Sequence, residues 1–144
     1  KTKNSEDYAL LAMLQSFSIQ FKKGMIAGMV NGKVKKNIEK AIALDDTNLR
    51  AYFVAGSSDF YTPEKYGGGE KAESYLLKAV QLPSQKIKND YLPAWGKETA
   101  FEMLVQLYLK KGDLENARKY FHEGLEVYPD SYIIKSLASD LVAK

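Results

Sequence analysis

The chain has 144 residues, 45% of them hydrophobic, with 21 Lys and Arg against 18 Asp and Glu and no cysteine. That length suits a single domain with an adequate core, and the missing thiols exclude disulfide frameworks, thiolate zinc sites, iron–sulfur clusters and cysteine nucleophiles. A formal net charge of +3 is too small an imbalance to imply a nucleic-acid surface.

Apolar positions recur at helical spacing over most of the chain, whereas strand-like alternation never lasts, so the chain reads as all helix. The first helix is expected from Ser5, its N-cap, with Tyr8, Leu11, Ala12, Gln15 and Ile19 on one stripe and Glu6 and Asp7 in the first turn. It should fade near Gly24, with a flexible insert over Met25–Lys33 and a second helix beginning after Asn31-Gly32 that carries Val34, Ile38, Ala41 and Ile42. The turn at Asp45–Asn48 leads to a third helix, Leu49 to Tyr61, which Pro63 cannot continue. After a loop to Gly69, a fourth helix carries Ala72, Tyr75, Leu76, Ala79 and Val80 as far as Leu82. A long polar connection over Ser84–Leu92 ends at Pro93, expected in the first turn of a fifth helix that carries Phe101, Leu104, Val105 and Tyr108. Gly112-Asp113 makes the next turn, and a sixth helix carries Ala117, Phe121, Gly124 and Leu125 to Pro129. Ser131 should cap a seventh, Tyr132 to Val142, with Ile133, Leu137 and Leu141 inward. No apolar run comes near the ~20 residues that span a bilayer.

Helices arriving in pairs point to an internal repeat. Phe101, Leu104, Val105, Tyr108, Ala117, Phe121, Gly124 and Pro129 stand at the spacings of the tetratricopeptide repeat, a helix–turn–helix unit of about 34 residues, and the segment resembles that family. Small residues such as Ala117 and Gly124 suit positions where helices cross closely. In the middle pair Tyr52, Ala55, Gly56, Ala72, Leu76 and Ala79 answer the same slots, but Asp59 replaces Tyr108 and the turn is four residues longer. In the first pair Tyr8, Leu11, Ala12, Val34, Ile38 and Ala41 answer them, with a turn ten residues longer. The run Tyr61–Ala72, with its Pro63 and Gly67-Gly68-Gly69, and the later Pro93-Ala94-Trp95-Gly96 resemble bacterial tetratricopeptide proteins with such a turn between helices. The resemblance implies an all-α, right-handed superhelical solenoid of about three helix pairs, at residues 5–46, 47–84 and 93–130, closed by a capping helix over 131–143. It brings no established activity with it.

Candidate chemistry is sparse. Ala27–Val34 nearly fits phosphate-loop spacing, but Ala27 replaces a required glycine, Val34 replaces the hydroxyl that would hold magnesium, and no strand precedes it. Gly67-Gly68-Gly69 reads as a turn, and the lone His122 as an exposed surface residue. No carboxylate pair is singled out as an acid/base couple. Six lysines against one glutamate lie between Lys22 and Lys40, a stretch suited to an acidic partner or membrane surface but read as a solvated helix face. Trp95 is expected to fix the end of the long connection onto its helix. The chain is therefore expected to be no enzyme, with no catalytic residues, metal or cofactor.

In tetratricopeptide arrays the first helix of each pair lines the concave face, and the resemblance implies a groove formed by Met13, Phe17, Arg50, Phe53, Ser57, Phe60, Tyr61, Glu102, Gln106 and Lys110. The family's Lys, Asn and Arg clamp for a terminal carboxylate is not reproduced. The expected function is a non-catalytic scaffold for a protein or peptide, with an apolar small molecule or lipid in an enclosed groove as the alternative; Phe17, Phe53 and Phe60 serve equally well as packing residues. Nucleic acid and a membrane span are not expected, and a homo-oligomer stays open. The chain opens Lys-Thr-Lys-Asn without an initiator methionine, so any leader would already be gone and the compartment, cytoplasmic or periplasmic for a bacterial protein, is undetermined.

Overall fold

A computed structural model describes residues 2–142. Among these residues seven α-helices follow one another: α1 Ser5–Ser18, α2 Gly24–Leu44, α3 Leu49–Tyr61, α4 Ala72–Gln81, α5 Lys97–Lys111, α6 Leu114–Val127 and α7 Tyr132–Lys135, with 3-10 turns at Ile19–Phe21, Glu64–Tyr66 and Ala138–Leu141. Among the described residues there is no strand. Helices pack in sequential pairs, α1 on α2, α3 on α4 and α5 on α6, while α1, α3 and α5 also touch in series. The result is an array in which each pair buries its face against its neighbours.

One apolar core runs the length of the array, from Ala12, Val34 and Ile38 through Phe53, Val54, Leu76 and Ala79 to Phe101, Leu104, Val105, Ala117, Ile134 and Leu141. Small residues set the crossing distances. A Cβ on Gly124 would lie 2.9 Å from Ile134 Cδ1 and 3.1 Å from Phe101 Cβ, and one on Gly56 would lie 2.7 Å from Leu76 Cγ. Contacts that short force side chains or backbone to move, so a methyl at either position would push the helices apart.

Several sequence expectations need correction. The N-cap of α1 is Asn4, which accepts from Asp7 N at 2.9 Å while Asp7 Oδ2 accepts from Asn4 N at 2.9 Å, a capping box. Ser5 is instead buried, donating to Ala41 O at 2.8 Å and accepting from Asn48 Nδ2 at 2.9 Å, which ties α1 to the end of α2 and the cap of α3. The segment Met25–Lys33 is no flexible insert: it is the first part of α2, a helix of 21 residues. The chain reverses earlier, at Lys22–Gly24, where Gly24 takes φ +52°.

Pro93 does not lie in the first turn of α5, which begins at Lys97 after Gly96 at φ +104°. At the C-terminus α7 spans four residues and a 3-10 turn follows at Ala138–Leu141, where Arg118 Nε and Nη2 donate to the Leu141 carbonyl at 3.1 and 2.9 Å. Ile134, rather than Ile133, is the fully buried residue of that segment. Residue 143, the expected end of the capping helix, lies outside the described residues.

Candidate functional site

The face shared by α1, α3 and α5 is built by their register. Ser57 and Phe60 of α3 stand two helical turns and more from the buried N-terminus; on α5 Gln106 takes the row of Ser57 and Glu102 that of Phe53, and Ser57, Phe60, Glu102 and Gln106 are all half-buried. Gln106 Nε2 donates to Glu102 Oε1 at 2.8 Å, joining successive turns of α5. Burial pushes the Glu102 carboxyl above its ordinary range, and Glu98 adds to the shift. This face is therefore already partly shielded from water. Tyr61 and Lys110 are exposed at the C-terminal ends of their helices, and Met13 is exposed on α1.

Two expected groove residues are not surface at all. Arg50 is 5% exposed: its Nε lies 2.8 and 2.7 Å from the two carboxylate oxygens of Glu6, its Nη2 lies 2.6 Å from Glu6 Oε1, and its Nη1 donates to Ser84 O at 3.0 Å and Trp95 O at 3.4 Å. A guanidinium so enclosed must be neutralised and hydrogen-bonded, and this one is. Phe53 is buried beneath Trp95, whose ring meets it edge-on with centroids 6.1 Å apart. Both residues support the face from below. Phe17 is exposed but lies at the edge, its ring 6.0 Å from that of Phe21.

The signal missed from sequence is the connection between α4 and α5. It folds back onto the start of α3, so that Trp95 covers Phe53 and stands 6.0 Å from the Arg50 guanidinium. Gln85 organises the loop, its amide donating to Asn89 O at 2.9 Å and Leu92 O at 2.8 Å while its carbonyl accepts from Asn89 N at 3.0 Å. Lys97 closes it by donating to Leu82 O at 2.9 Å, and burial pulls that ammonium below its ordinary pKa. The occurrence of Gln85 and Lys97 at the two ends of a polar stretch gives no local cue to this closure.

The turn between α3 and α4 is equally specific. Asp59 Oδ2 accepts from Lys71 N and Ala72 N, both at 2.8 Å, and so caps α4 across the inserted loop. In the next pair the same slot holds Tyr108, whose hydroxyl donates to Glu73 Oε1 at 2.8 Å. Glu73 also takes Lys111 Nζ, so α4 and α5 are joined by a carboxylate between a phenol and an ammonium. The Lys111 ammonium, then the Tyr108 hydroxyl, hold the Glu73 carboxyl below its ordinary range, and burial with the Glu73 bond pushes the Tyr108 hydroxyl up.

Residues 99–131, covering most of α5, all of α6 and the turn after it, match the family model described as tetratricopeptide repeat. The chain carries a tetratricopeptide repeat. Comparison with curated proteins and with solved structures gives no match. The matched unit supplies Glu102, Gln106 and Lys110 of the shared face, on the first helix of the repeat. In the repeat's second helix His122 is exposed, its ring edge-on to Phe121.

The stretch Ala27–Val34, which approached phosphate-loop spacing, lies inside α2, where its backbone amides are spent on helical hydrogen bonds. Among the described residues no three His, Asp or Glu side chains cluster as metal ligands. No helix there is long and apolar enough to cross a membrane. Two open cavities, of about 380 and 550 Å³, are lined by Thr2, Lys3, Asp7, Leu10, Leu11 and Leu14 and by the α4–α6 junction around Val80, Phe101 and Tyr120. Neither includes the α3 residues of the shared face.

Proposed function

We propose that this chain is a non-catalytic scaffold that holds an extended peptide of a protein partner against the face shared by α1, α3 and α5. The observation that carries the reading is that Ser57 and Phe60 on α3 and Glu102 and Gln106 on α5 are half-buried on two helices that touch, with Tyr61 and Lys110 exposed toward the C-terminal ends of those helices. Partly desolvated polar groups beside an aromatic side chain favour a ligand that brings backbone amides and an apolar anchor, because the amides satisfy Ser57 and Gln106 while the anchor covers Phe60. The membership of a tetratricopeptide unit in this chain supports a role in protein interaction generally. Arg50 and Phe53 take no part in contact; they hold α1, α3 and the long connection at fixed spacing and so preorganise the face.

Selection from a displayed random-peptide library tests this reading. The wild-type protein is expected to enrich peptides with an aromatic or large aliphatic anchor, and Phe60→Ser with Tyr61→Ser should weaken the selected peptides by at least about tenfold, the worth of one buried anchor. Equal binding by the variant, with its helical circular dichroism unchanged, would remove the face from the binding site.

A further inference from the structure

The reversal between α1 and α2 presents an apolar tip surrounded by lysines. Phe17, Phe21, Met25, Ile26 and Met29 are each between 60% and 83% exposed, although they belong to the end of α1, the 3-10 turn that follows and the first turns of α2. Two bulky aromatics and three flexible aliphatic side chains left in water at one hairpin end are an unusual cost for a soluble surface. The charge around them is of one sign. From Tyr8 to Ile38 there is no Asp or Glu, and the stretch carries Lys22, Lys23, Lys33, Lys35 and Lys36, all exposed and without an ion-pair partner among the described residues. Elsewhere the chain has 16 basic against 18 acidic side chains, so this hairpin is the source of its net positive charge.

The order along α2 matters. Met25, Ile26 and Met29 occupy its first turns, and Lys33 and Lys36 continue the same side of the helix at i+4 from Met29 and at i+7. At the helical rise the two ammonium groups originate about 6 and 10 Å behind Met29, which matches the ~5–10 Å to which interfacial apolar side chains sink below the headgroups. Gly28 and Gly32 have nothing within 4 Å of where a Cβ would be, so the first half of α2 projects without a neighbour over that side. Neither of the two cavities is lined by a residue of the tip, and its apolar side chains stand in solvent. A shaped peptide needs a groove, whereas a deformable lipid surface needs only a protruding apolar edge and a basic collar.

We propose that the α1–α2 hairpin tip docks the protein onto a bilayer surface rich in anionic phospholipid, with Phe21, Met25, Ile26 and Met29 entering the headgroup–acyl boundary and Lys22, Lys23, Lys33 and Lys36 meeting the phosphates. The turn between α3 and α4 follows a helix whose start is tied to that of α1 by Ser5–Asn48 and Glu6–Arg50, and it adds exposed Tyr66, with Lys65 Nζ 4.9 Å from the ring, an amphipathic pairing suited to the interface. Neighbouring lysines contribute about 1 kcal/mol each near an anionic surface, and the apolar tip supplies attachment that salt does not abolish. This attachment is independent of peptide capture by the α1, α3 and α5 face.

Vesicle co-sedimentation tests the proposal with the whole chain. Phosphatidylcholine vesicles containing about 30% phosphatidylserine should pull down the wild-type protein, and pure phosphatidylcholine vesicles should bind it at least about tenfold less. Phe21→Ser with Met25→Ser, and separately Lys22→Gln with Lys23→Gln and Lys33→Gln, should each reduce binding to the anionic vesicles at least about tenfold while thermal unfolding stays unchanged, since all five positions are exposed. Phe60→Ser should leave vesicle binding intact. Wild-type protein that stays in the supernatant, binding that survives both sets of substitutions, or capture by the tip of an acidic amphipathic peptide with no vesicle binding would each overturn the proposal.

Discussion

The Arg50 guanidinium holds the Glu6 carboxylate through Nε at 2.8 and 2.7 Å and Nη2 at 2.6 Å, linking the first turn of α3 to the first turn of α1 across 44 positions of sequence. The same guanidinium reaches the carbonyls of Ser84 and Trp95, so one side chain fixes two helices and the long connection. Removing Glu6 strands a charge that is 6% exposed at its side chain. Glu6→Ala is therefore expected to lower the free energy of unfolding by about 3 kcal/mol, the lower end of the range for a broken buried pair because Glu6 itself is partly solvated. Denaturant unfolding of Glu6→Ala, Arg50→Met and the double variant checks it. The double variant should be more stable than the summed single losses by at least about 1 kcal/mol; strict additivity would mean that the pair is not coupled.

Glycine substitutions separate two environments. Gly28 and Gly32 sit inside α2 with open space where a Cβ would be, so Gly28→Ala and Gly32→Ala should each stabilise the protein by about 0.5–1 kcal/mol. In the turn before α4, a Cβ on Gly68 would lie 1.8 Å from the Thr62 carbonyl oxygen. Gly68→Ala should cost more than about 2 kcal/mol, since the backbone must open to admit the methyl group. Thermal melts of the three variants measure both signs. A loss of stability for Gly28→Ala would indicate that the first half of α2 is not helical in solution.

Acid should loosen the contact between α4 and α5. The Glu73 carboxyl titrates below its ordinary 4.5 in the folded chain, first through Lys111 and then through Tyr108. A carboxyl whose folded pKa is depressed contributes stability that is present above its unfolded pKa and lost as pH falls through its folded pKa. Because Glu73 and Lys111 are both substantially exposed, the contribution is about 0.5 kcal/mol. Carboxyl-carbon NMR titration should place Glu73 below 4.5 and move it upward in Lys111→Met. The acid limb of stability against pH should be shallower in Glu73→Gln than in the wild type.

Much of the array was legible in the chain. Leu49 follows the capping residues Asp45–Asn48 and Tyr61 precedes Pro63, and α3 spans Leu49–Tyr61; Gly112-Asp113 marks the turn before α6, with Gly112 at φ +73° and Asp113 capping Asn116 N at 3.0 Å. The start of α2 was not legible. Gly28, Asn31 and Gly32 have local preferences for turns, but Ala27, Val30 and Asn31 are half-buried along α2 and the helix they continue prevails over those preferences. On the shared face, spacing placed Arg50 and Phe53 in the row of Thr99 and Glu102, yet their exposure depends on the distant Glu6 and on Trp95 folding back over them. Helical periodicity reports which side a residue takes and is silent on what a loop later lays across it. Asp59, a departure from the repeat pattern when compared with Tyr108, is explained by the longer turn: its carboxylate caps the helix that the insertion displaced.

Amide chemical-shift mapping with a library-selected peptide tests the central claim, that a peptide lies along the face shared by α1, α3 and α5. Titration should shift the amides of Met13, Ser57, Phe60, Tyr61, Glu102, Gln106 and Lys110 in saturable fashion, with smaller changes at Arg50 and Phe53 beneath them. Shifts confined to the outer surfaces of α2, α4 and α6, with the α3 and α5 amides unmoved at saturation, would contradict it.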